Sequence, residues 1–209
     1  MLPEHNMHGT KLSIAPLTHQ FFESALVLLD AAFKEDPTLA WCLFAEHWGF
    51  DERRTNYPRS YLSYHHDVLM PALGVWRNRD LVAASYFAPS SCTESAGKLA
   101  ELGRQIASGC GELALGRIDS LRESPDLHSR DANSSRIEFI GVSPMLQGEG
   151  IGATLLKATL AHLREIEPCG PISLETAEPR NIPFYERHGF AVEARIERAG
   201  LTQYRLSIG

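Results

Sequence analysis

The sequence contains no paired cysteine motif, no run of basic residues and no long apolar segment. Its four cysteines, Cys42, Cys92, Cys110 and Cys169, are scattered, with no C-x-x-C pair and no matching histidine spacing. This pattern argues against a metal site and is typical of buried free thiols in a reducing compartment. No apolar run approaches the roughly 20 residues that a membrane-spanning helix requires, and residues 1–10 lack the apolar core of a signal peptide. We therefore expect a cytoplasmic protein without a metal and without a membrane partner.

The charge of the chain also narrows the class of partner. The formal net charge is −6, and lysine and arginine do not cluster. Binding to nucleic acid requires a clustered basic face that neutralises phosphates, so we expect no nucleic-acid partner. With 44% apolar and 22% charged residues in a chain of 209 residues, the composition is that of an ordinary globular protein of one domain.

Hydrophobic periodicity predicts alternating strands and helices along most of the chain. The predicted strands are Lys11–Ala15, Ala72–Arg77, Leu81–Phe87, Arg136–Val142, Pro171–Thr176, Phe190–Arg195 and Leu201–Leu206. The predicted helical segments are Thr18–Asp36, Leu39–His66, Thr93–Arg122, Gly150–Glu165 and Pro179–His188. A polar stretch with a proline, Ser124–Ser135, is predicted to be a loop. This order indicates a mixed sheet with helices on both faces.

A glycine-rich segment between the strand Arg136–Val142 and the next helix is the clearest functional signal. It reads Gln-Gly-Glu-Gly-Ile-Gly-Ala over residues 147–153. Glycine lets the backbone turn sharply and approach a ligand, because no Cβ intervenes. The first amides of the following helix have no partners within the helix and carry the positive end of its dipole. Such a site is suited to binding phosphate.

One interpretation of this segment is a dinucleotide-binding turn. Gly148-x-Gly150-x-x-Ala153 formally satisfies G-x-G-x-x-G/A, and Glu175 lies near the expected place of a ribose-binding acid. However, residues 143–147 separate the strand from the first glycine, whereas the dinucleotide turn follows its strand at once. Too little chain follows Ala153 to complete a doubly wound sheet, which counts further against this interpretation.

The segment has three other interpretations. A nucleotide P-loop requires a Gly-Lys-Ser/Thr ending, which is absent. The pattern Gln147-x-x-Gly150-x-Gly152 is the one required by an acyl-CoA pyrophosphate loop. A glycine-rich turn that binds no ligand is the remaining alternative.

Two segments of the chain resemble the GNAT acetyltransferase superfamily. Residues 142–152, V-x-P-x-x-Q-G-x-G-I-G, are similar to the central motif of that family. Residues 174–190, L-E-T-x-x-x-x-N-x-x-x-Y-x-x-x-G-F, look like the strand, helix and strand that follow it. The close match covers roughly residues 136–195, and two motifs in the right order are more specific than either alone.

The resemblance implies a fold and an activity. The fold is α/β (α+β): a mixed, mostly antiparallel sheet of about seven strands with helices on both faces. It occupies one domain, residues 1–209, with residues 90–135 as a helical and loop insertion before the central strand. The activity is an N-acetyltransferase that moves an acetyl group from acetyl-CoA to a primary amine by direct attack in a ternary complex. A non-catalytic acyl-CoA sensor or regulatory module is the alternative.

The resemblance also assigns residues to acetyl-CoA. The central strand splays from its neighbour, so that its free backbone groups pair with the pantetheine arm. Amides of the glycine-rich loop hold the pyrophosphate, Asn181 contacts the pantetheine side, and Tyr185 protonates the departing CoA thiolate. The cofactor-binding residues expected from the resemblance are Ile140, Gly141, Val142, Gln147, Gly148, Gly150, Gly152, Ala153, Asn181 and Tyr185.

Amine acetylation requires a proton acceptor, because alkyl amines have a pKa of about 10 and are protonated at neutral pH. Glu138 is the candidate, since it lies on the central strand with the same side-chain parity as Ile140. The catalytic residues expected are therefore Tyr185 and Glu138. Other candidate bases are Glu175, His47, His65 and His66.

The acceptor is much less defined by the sequence. By the resemblance, its pocket lies among three segments, Asp36–Tyr64, Ser90–Asp131 and Glu197–Gln203. An aromatic wall suited to an ammonium group is expected from Trp41, Trp48, Tyr57, Tyr61 and Tyr64. The insertion is a candidate lid. A small-molecule amine is the expected partner, and both a monomer and a homodimer are compatible with the sequence.

Overall fold

Seven strands form one sheet with the spatial order β1-β2-β3-β4-β5-β7-β6. The computed structural model describes residues 11–92, 95–122 and 134–209. The strands are β1 Leu12–Pro16, β2 Ala72–Arg77, β3 Asp80–Ala88, β4 Ser135–Val142, β5 Ile172–Thr176, β6 Ala191–Arg198 and β7 Leu201–Ile208. Only β4 and β5 pair in parallel, and the other neighbours are antiparallel. The predicted mixed, mostly antiparallel sheet is confirmed.

Helices cover both faces of this sheet. They are α1 Phe22–Ala32, α2 Pro37–Cys42, α3 Phe50–Asp67, α4 Ala96–Cys110, α5 Glu112–Arg122, α6 Ile151–Ile166 and α7 Ile182–Glu186. Helices α1 to α5 contribute to a core on one face that includes Tyr86 and Phe139. Helices α6 and α7 contribute to a second core that includes Val75 and Leu206. Because side chains alternate across a strand, one sheet supplies both cores.

The predicted N-terminal helix is divided in the structure. A 3-10 turn, His19–Phe21, precedes α1, and α1 ends at Ala32. Helix α2 then begins where the carboxylate of Asp36 accepts a hydrogen bond from the amide of Leu39 at 2.9 Å. Proline at the first helical position and aspartate before it are the residues that favour a helix start.

The helical part of the predicted insertion is built into the first core. Leu102 and Ile106 of α4 are fully buried, and the Asn56 side chain of α3 donates to the carbonyl of Gly109 at 3.0 Å. Gly111, with φ of +94°, separates α4 from α5. These helices therefore form part of the first core, and their role as a lid stays a prediction. The predicted loop, Ser124–Ser135, lies outside the described residues except at its last two positions.

The structure also bears on the cysteines and on the length of the apolar helices. All four cysteines are free thiols, but only Cys42 and Cys110 are buried, whereas Cys92 is half-buried and Cys169 is exposed. The expectation of buried thiols was therefore wrong for Cys169. Within the described ranges, no helix is both long enough and apolar enough to cross a membrane.

Candidate active site

Strands β4 and β5 diverge in the middle of the sheet. They pair only from Ser135 to Ile137 on β4, whereas β4 stays paired with β3 as far as Val142. The amide of Ser143 donates to β3 at 2.9 Å. Since alternate residues of an antiparallel strand face opposite neighbours, the backbone groups of Ile140 and Val142 point into the gap towards β5. This is the splayed geometry that the resemblance implied, and their pairing with pantetheine stays a prediction.

A β-bulge in β4 lies at the start of this gap. Tyr86 of β3 pairs with Phe139, and the next residue, Phe87, pairs with Ile137, so Glu138 has no partner on β3. Glu138 and Phe139 consequently both line the cavity on the first face, whereas Ile140 packs against the second core. The expected shared parity of Glu138 and Ile140 was wrong, because the extra residue of a bulge breaks the alternation.

The glycine-rich loop leads directly into the start of α6. Gly150 precedes the helix, and no side chain caps it. The first hydrogen bond within the helix runs from the amide of Thr154 to the carbonyl of Gly150 at 3.1 Å. The amides of Ile151, Gly152 and Ala153 therefore precede the helical ladder, at the positive end of a helix of 16 residues.

The backbone conformation of the loop explains why two of its positions are glycine. Gly148 and Gly150 have φ of +85° and +81°, a region that side chains disfavour, and no atom lies within 4 Å of a Cβ built on either one. The space beside the loop is thus open. Gln147 closes the loop by donating from Nε2 to the carbonyl of Val142 at 3.3 Å. Glu149 forms an ion pair with Arg77, which partly offsets a negative charge beside the anion site.

Gly152 ends the first predicted motif, and Asn181 lies within the second. A Cβ on Gly152 would lie 3.4 Å from Val142 and 3.8 Å from Phe184, so this glycine brings α6 close to β4 and α7. Asn181 is exposed and directly precedes α7. Its predicted contact with the pantetheine side stays a prediction.

Tyr185 is buried in the second core, where it packs edge-on against Phe184 and Phe190. Burial raises the pKa of Tyr185 to about 12, and the nearby charge of Asp36 adds to the increase. The phenol is therefore protonated at neutral pH. Tyr185 is not among the residues that line the cavity, whereas Asp36 is.

A cavity of about 480 Å³ lies on the first face, between helices α1 to α5 and strands β4, β5 and β7. We call it the central cavity. Its helical walls are mainly apolar, and its sheet wall is polar and charged. The charged residues that line it are Asp36, Arg122, Arg136, Glu138 and Glu175. A volume of this size is in the range of small-molecule sites.

Glu138 is held in its ionised form. Its Oε1 accepts from the Nε of Arg136 at 3.0 Å, and it also accepts from the hydroxyl of Tyr61. Burial works to raise the pKa of Glu138, but the Arg136 guanidinium, the Tyr61 hydroxyl and Arg122 outweigh it and hold that pKa below the ordinary value. A carboxylate stabilised in this way is a weak proton acceptor.

Glu175 has the opposite electrostatic environment. It follows Leu174, the last β5 residue that pairs with β4, and so lies beside Glu138 where the gap opens. Burial raises the pKa of Glu175 to about 7, with a further increase from the charge of Glu138 that exceeds the opposing effect of Arg136. Glu175 is exposed, and it is among the residues that line the central cavity.

Only two of the five aromatic residues expected at the acceptor pocket line the cavity, Tyr57 and Tyr61. Trp48 is 96% exposed. Trp41 donates from its indole to the carbonyl of Ala199 at 2.8 Å. Tyr64 is buried away from the cavity lining. Helical spacing alone does not say which aromatic side chains of α2 and α3 face the sheet.

The three histidines that are candidate bases, His47, His65 and His66, do not line the cavity. His65 is fully buried, and its burial lowers its pKa to about 4. His66 lies 3.4 Å from the hydroxyl of Tyr86, and His47 stacks on Phe44. Within the described residues, no group of three or more His, Cys, Asp or Glu side chains is placed to hold a metal.

Arg122, Arg136 and Gln203 were not singled out by the sequence analysis, although Gln203 ends one of the segments expected to form the pocket. Gln203 is 5% exposed, and its Oε1 has no hydrogen-bond partner among the described residues. The alternation of side chains along β7 could have indicated Gln203. Gln203 and Arg205 are polar residues on the face of the strand opposite the buried Leu206.

The fold and the site together define an α/β protein in which an open glycine-rich loop and an uncapped helix start lie beside two diverging strands. Residues 99–190 match the model of the Acetyltransferase (GNAT) family. This segment is therefore similar to the GNAT family of acetyltransferases, as the sequence motifs predict. The match supports acyl transfer from acetyl-CoA as the general activity.

Solved structures with the same fold include three enzymes of stated class. An acetyltransferase from Corynebacterium glutamicum, described as histone acetyltransferase HPA2 and related acetyltransferase, is 16% identical, covers 94% of each chain and has a TM-score of 0.66. PaiA N-acetyltransferase from Thermoplasma acidophilum, in complex with coenzyme A, is 11% identical over 93% of this chain and 98% of that one, with a TM-score of 0.56. The ribosomal-protein-S18-alanine N-acetyltransferase from Escherichia coli is 12% identical over 95% and 93%, with a TM-score of 0.55. At these identities the likeness concerns the fold.

Proposed function

We propose that this protein is an N-acetyltransferase that acetylates a small primary amine in the central cavity. The observation that carries the proposal is that the gap between β4 and β5, the central cavity and Glu175 adjoin one another. The gap between β4 and β5 leads from the glycine-rich loop to the central cavity, and Glu175 lies where the gap opens. A donor held along the gap and an amine held in the cavity would meet there.

The residues of the gap and loop are suited to acetyl-CoA. The backbone groups of Ile140 and the amide of Val142, which β5 leaves without a partner, match the amide-bearing pantetheine arm. The uncapped amides of Ile151–Ala153 match the pyrophosphate. The bound donor supplies an activated acetyl group as a thioester. The backbone amide of Val142 faces the gap and is our candidate donor to the carbonyl oxygen as that oxygen gains negative charge.

Glu175 is our candidate for the proton acceptor, in preference to Glu138. A general base works best with a pKa near the working pH, and the pKa of Glu175 is about 7. Glu138, by contrast, is paired with Arg136 and is a weaker base. Glu175 accepts one proton from the ammonium group of the substrate and returns it to solvent.

The acetyl group passes directly from sulfur to nitrogen, without a covalent intermediate on the enzyme. The freed nitrogen lone pair forms the C–N bond, the C–S bond breaks, and its electron pair leaves on sulfur. The nitrogen still carries two protons after the attack, and it loses the second one to solvent as the amide forms. The Tyr185 hydroxyl donates a hydrogen bond to that sulfur and supplies its proton, which is then regained from solvent. The products are an N-acetyl amide and CoA with a free thiol.

The direct test is to incubate the protein with acetyl-CoA and each member of a panel of primary amines. The release of the free CoA thiol is measured, and the amide product is identified by mass spectrometry. We expect thiol release with at least one amine of the panel. Tight binding of acetyl-CoA without thiol release from any amine would favour the alternative, an acyl-CoA sensor, over the transferase.

Replacement of Tyr185 by phenylalanine tests the proton donor. We expect Tyr185→Phe to lower kcat by about 100-fold, the usual effect of removing a general acid, with little change in the melting temperature. The conservative variant Phe184→Tyr, which leaves Tyr185 in place, is the control. Unchanged turnover in Tyr185→Phe would remove the acid assignment but would leave the transferase activity standing.

A further inference from the structure

The glycine-rich loop carries a carboxylate next to the amides that we assign to the pyrophosphate. Glu149 lies between Gly148 and Gly150, just before the free amides at the start of α6. A carboxylate so close to a bound pyrophosphate repels it, because both groups are negatively charged. The loop therefore contains a group that opposes the binding of the proposed ligand.

A cation from a distant strand faces this carboxylate. Arg77 is the last residue of β2, and the Nη2 atom of its guanidinium donates to Oε2 of Glu149. The side chain of Arg77 keeps 25% of its surface exposed. A guanidinium offers five N–H donors, and this bond engages only one of its nitrogens. A positive charge is thus held beside the loop without being saturated by its partner.

The position of the pair suits it to act on a ligand more than on the fold. The Glu149 side chain is 46% exposed, and exposed ion pairs stabilise folded proteins only weakly. The loop is tied to the sheet independently, because Gln147 donates to the carbonyl of Val142. A pyrophosphate held by the adjacent amides would experience both charges at short range.

We propose that Arg77 and Glu149 together set the affinity of the loop for the donor pyrophosphate, which Arg77 attracts and Glu149 repels. The proposal rests on the proposed function, because it takes the loop to be the phosphate site for acetyl-CoA. The donor and the CoA product carry the same phosphates, so the pair acts equally on both. Glu149 thereby keeps the product from being held too tightly, and product release limits the turnover of many enzymes.

Isothermal titration with CoA tests the opposite signs of the two charges. We expect Glu149→Gln to lower Kd about fivefold and Arg77→Gln to raise it about fivefold, the effect of one charge at about 4 Å in water. The double variant should have a Kd close to that of the unaltered protein, because one charge of each sign is removed. Glutamine keeps the size and the hydrogen-bonding capacity of the side chain, so the change is mainly one of charge.

The outcome with Glu149→Gln decides between a charge effect and a structural one. Weaker or unchanged CoA binding in this variant would overturn the proposal, since the pair would then hold the shape of the loop or do nothing for the ligand. If the unaltered protein itself does not bind CoA, the proposed function fails as well.

The ligand and the salt concentration identify the group on which the charges act. 3′-Dephospho-CoA keeps the pyrophosphate, and both variants should change its Kd by the same factors as for CoA. These factors should shrink between about 0.01 M and about 1 M salt, where the Debye length falls from about 30 Å to about 3 Å. Loss of the effect with 3′-dephospho-CoA, or an effect that salt does not reduce, would overturn the proposal.

An ion pair between α1 and α3 provides the matched control. Arg59 donates two hydrogen bonds to the exposed carboxylate of Glu23, at 2.7 and 3.0 Å. These helices contribute to the first core, whereas α6 contributes to the second. Glu23→Gln removes the same charge as Glu149→Gln and should leave the Kd for CoA unchanged. An equal tightening in Glu23→Gln would assign the effect to the net charge of the protein and overturn the proposal.

Discussion

Two glutamates that are neighbours across the gap have opposite acid–base properties because of their immediate partners. Glu138 has Arg136 and Tyr61 as partners, and its pKa lies below the ordinary value of a carboxyl group despite burial. Glu175 lies beside the charge of Glu138 within the cavity, and its pKa is raised to about 7. Sequence alone favoured Glu138, since its position on the central strand was visible and the positions of Arg136 and Tyr61 around it were not.

The pH dependence of kcat/KM should therefore show the ionisation of Glu175. Below a pH of about 7 its carboxyl group is protonated and cannot accept a proton, so kcat/KM should rise as the pH increases through that value. The charges that act on it are those of Glu138 and Arg136 on β4, and its cross-strand partner is Arg205 on β7, which pairs with Glu193. In Glu175→Gln we expect the inflection near pH 7 to disappear and kcat to fall about 100-fold.

Glu138→Gln is the matched comparison for this profile. It should keep the inflection and move it to lower pH, because removal of the Glu138 charge removes one cause of the raised pKa of Glu175. If Glu138→Gln instead abolishes the inflection while Glu175→Gln retains it, Glu138 is the proton acceptor and our assignment is wrong.

Among the elements, the end of α6 is tied to the sheet by one carboxylate. Glu167 accepts from the amides of Ser90 and Ser91 at 3.1 and 2.7 Å and from the hydroxyl of Ser135. It thereby joins the end of β3, the start of β4 and the helix whose other end forms the anion site. Burial works to raise the pKa of Glu167, but these hydrogen bonds outweigh it and lower the pKa to about 2.

Glu167→Gln should therefore lower the free energy of unfolding at neutral pH. We expect a loss of about 1 kcal/mol, since the hydrogen bonds are charge-assisted but partly screened by solvent. A carboxyl group with a lowered pKa stabilises the fold above its ordinary pKa of 4.5, and this contribution disappears as the pH falls towards 2. Denaturant unfolding of both proteins from pH 7 to pH 2 would measure it.

The exposed Glu165 of the same helix offers the control for that measurement. Glu165→Gln should leave the unfolding free energy nearly unchanged. A difference between Glu167→Gln and the unaltered protein that persists undiminished at pH 2 would show that the carboxylate is not the stabilising group.

At the scale of the whole molecule, the proposed donor site combines segments that are distant in the chain. The end of β4 and the start of α6 lie beside one gap, and Asn181 is expected to contribute to it, so a ligand that binds there binds only the folded protein. CoA should accordingly raise the melting temperature, with a stabilisation of about 2.7 kcal/mol at a concentration 100 times its dissociation constant. Added salt should reduce the shift, because it screens the phosphate charges.

Two glycine variants test whether the loop is responsible for that shift. Gly150 has φ of +81°, which disfavours any side chain, whereas Gly116 lies within α5 with open space around it. Gly150→Ala should reduce the CoA-dependent shift, and Gly116→Ala should leave it unchanged. An undiminished shift in Gly150→Ala would indicate that the phosphates bind elsewhere.

Local sequence patterns determined the seven strands, most of the helices and the glycine-rich loop. These features depend on side-chain alternation, on helix-ending residues and on glycine's access to positive φ, all of which act between near neighbours. They were enough to indicate the family and its acyl donor. They did not reveal the bulge at Glu138, because a bulge depends on the strand that pairs with it.

Only the tertiary structure decided the electrostatics of the site and the shape of the central cavity. The pKa of Glu175, the pairing of Glu138 with Arg136 and the burial of Gln203 all depend on side chains that meet across different elements. The same is true of the walls formed by Tyr57 and Leu99, whose orientation follows from how α3 and α4 pack on the sheet. The proposed donor loop is specified by residues that are consecutive in the chain, whereas the proposed acceptor cavity exists only through contacts between distant ones.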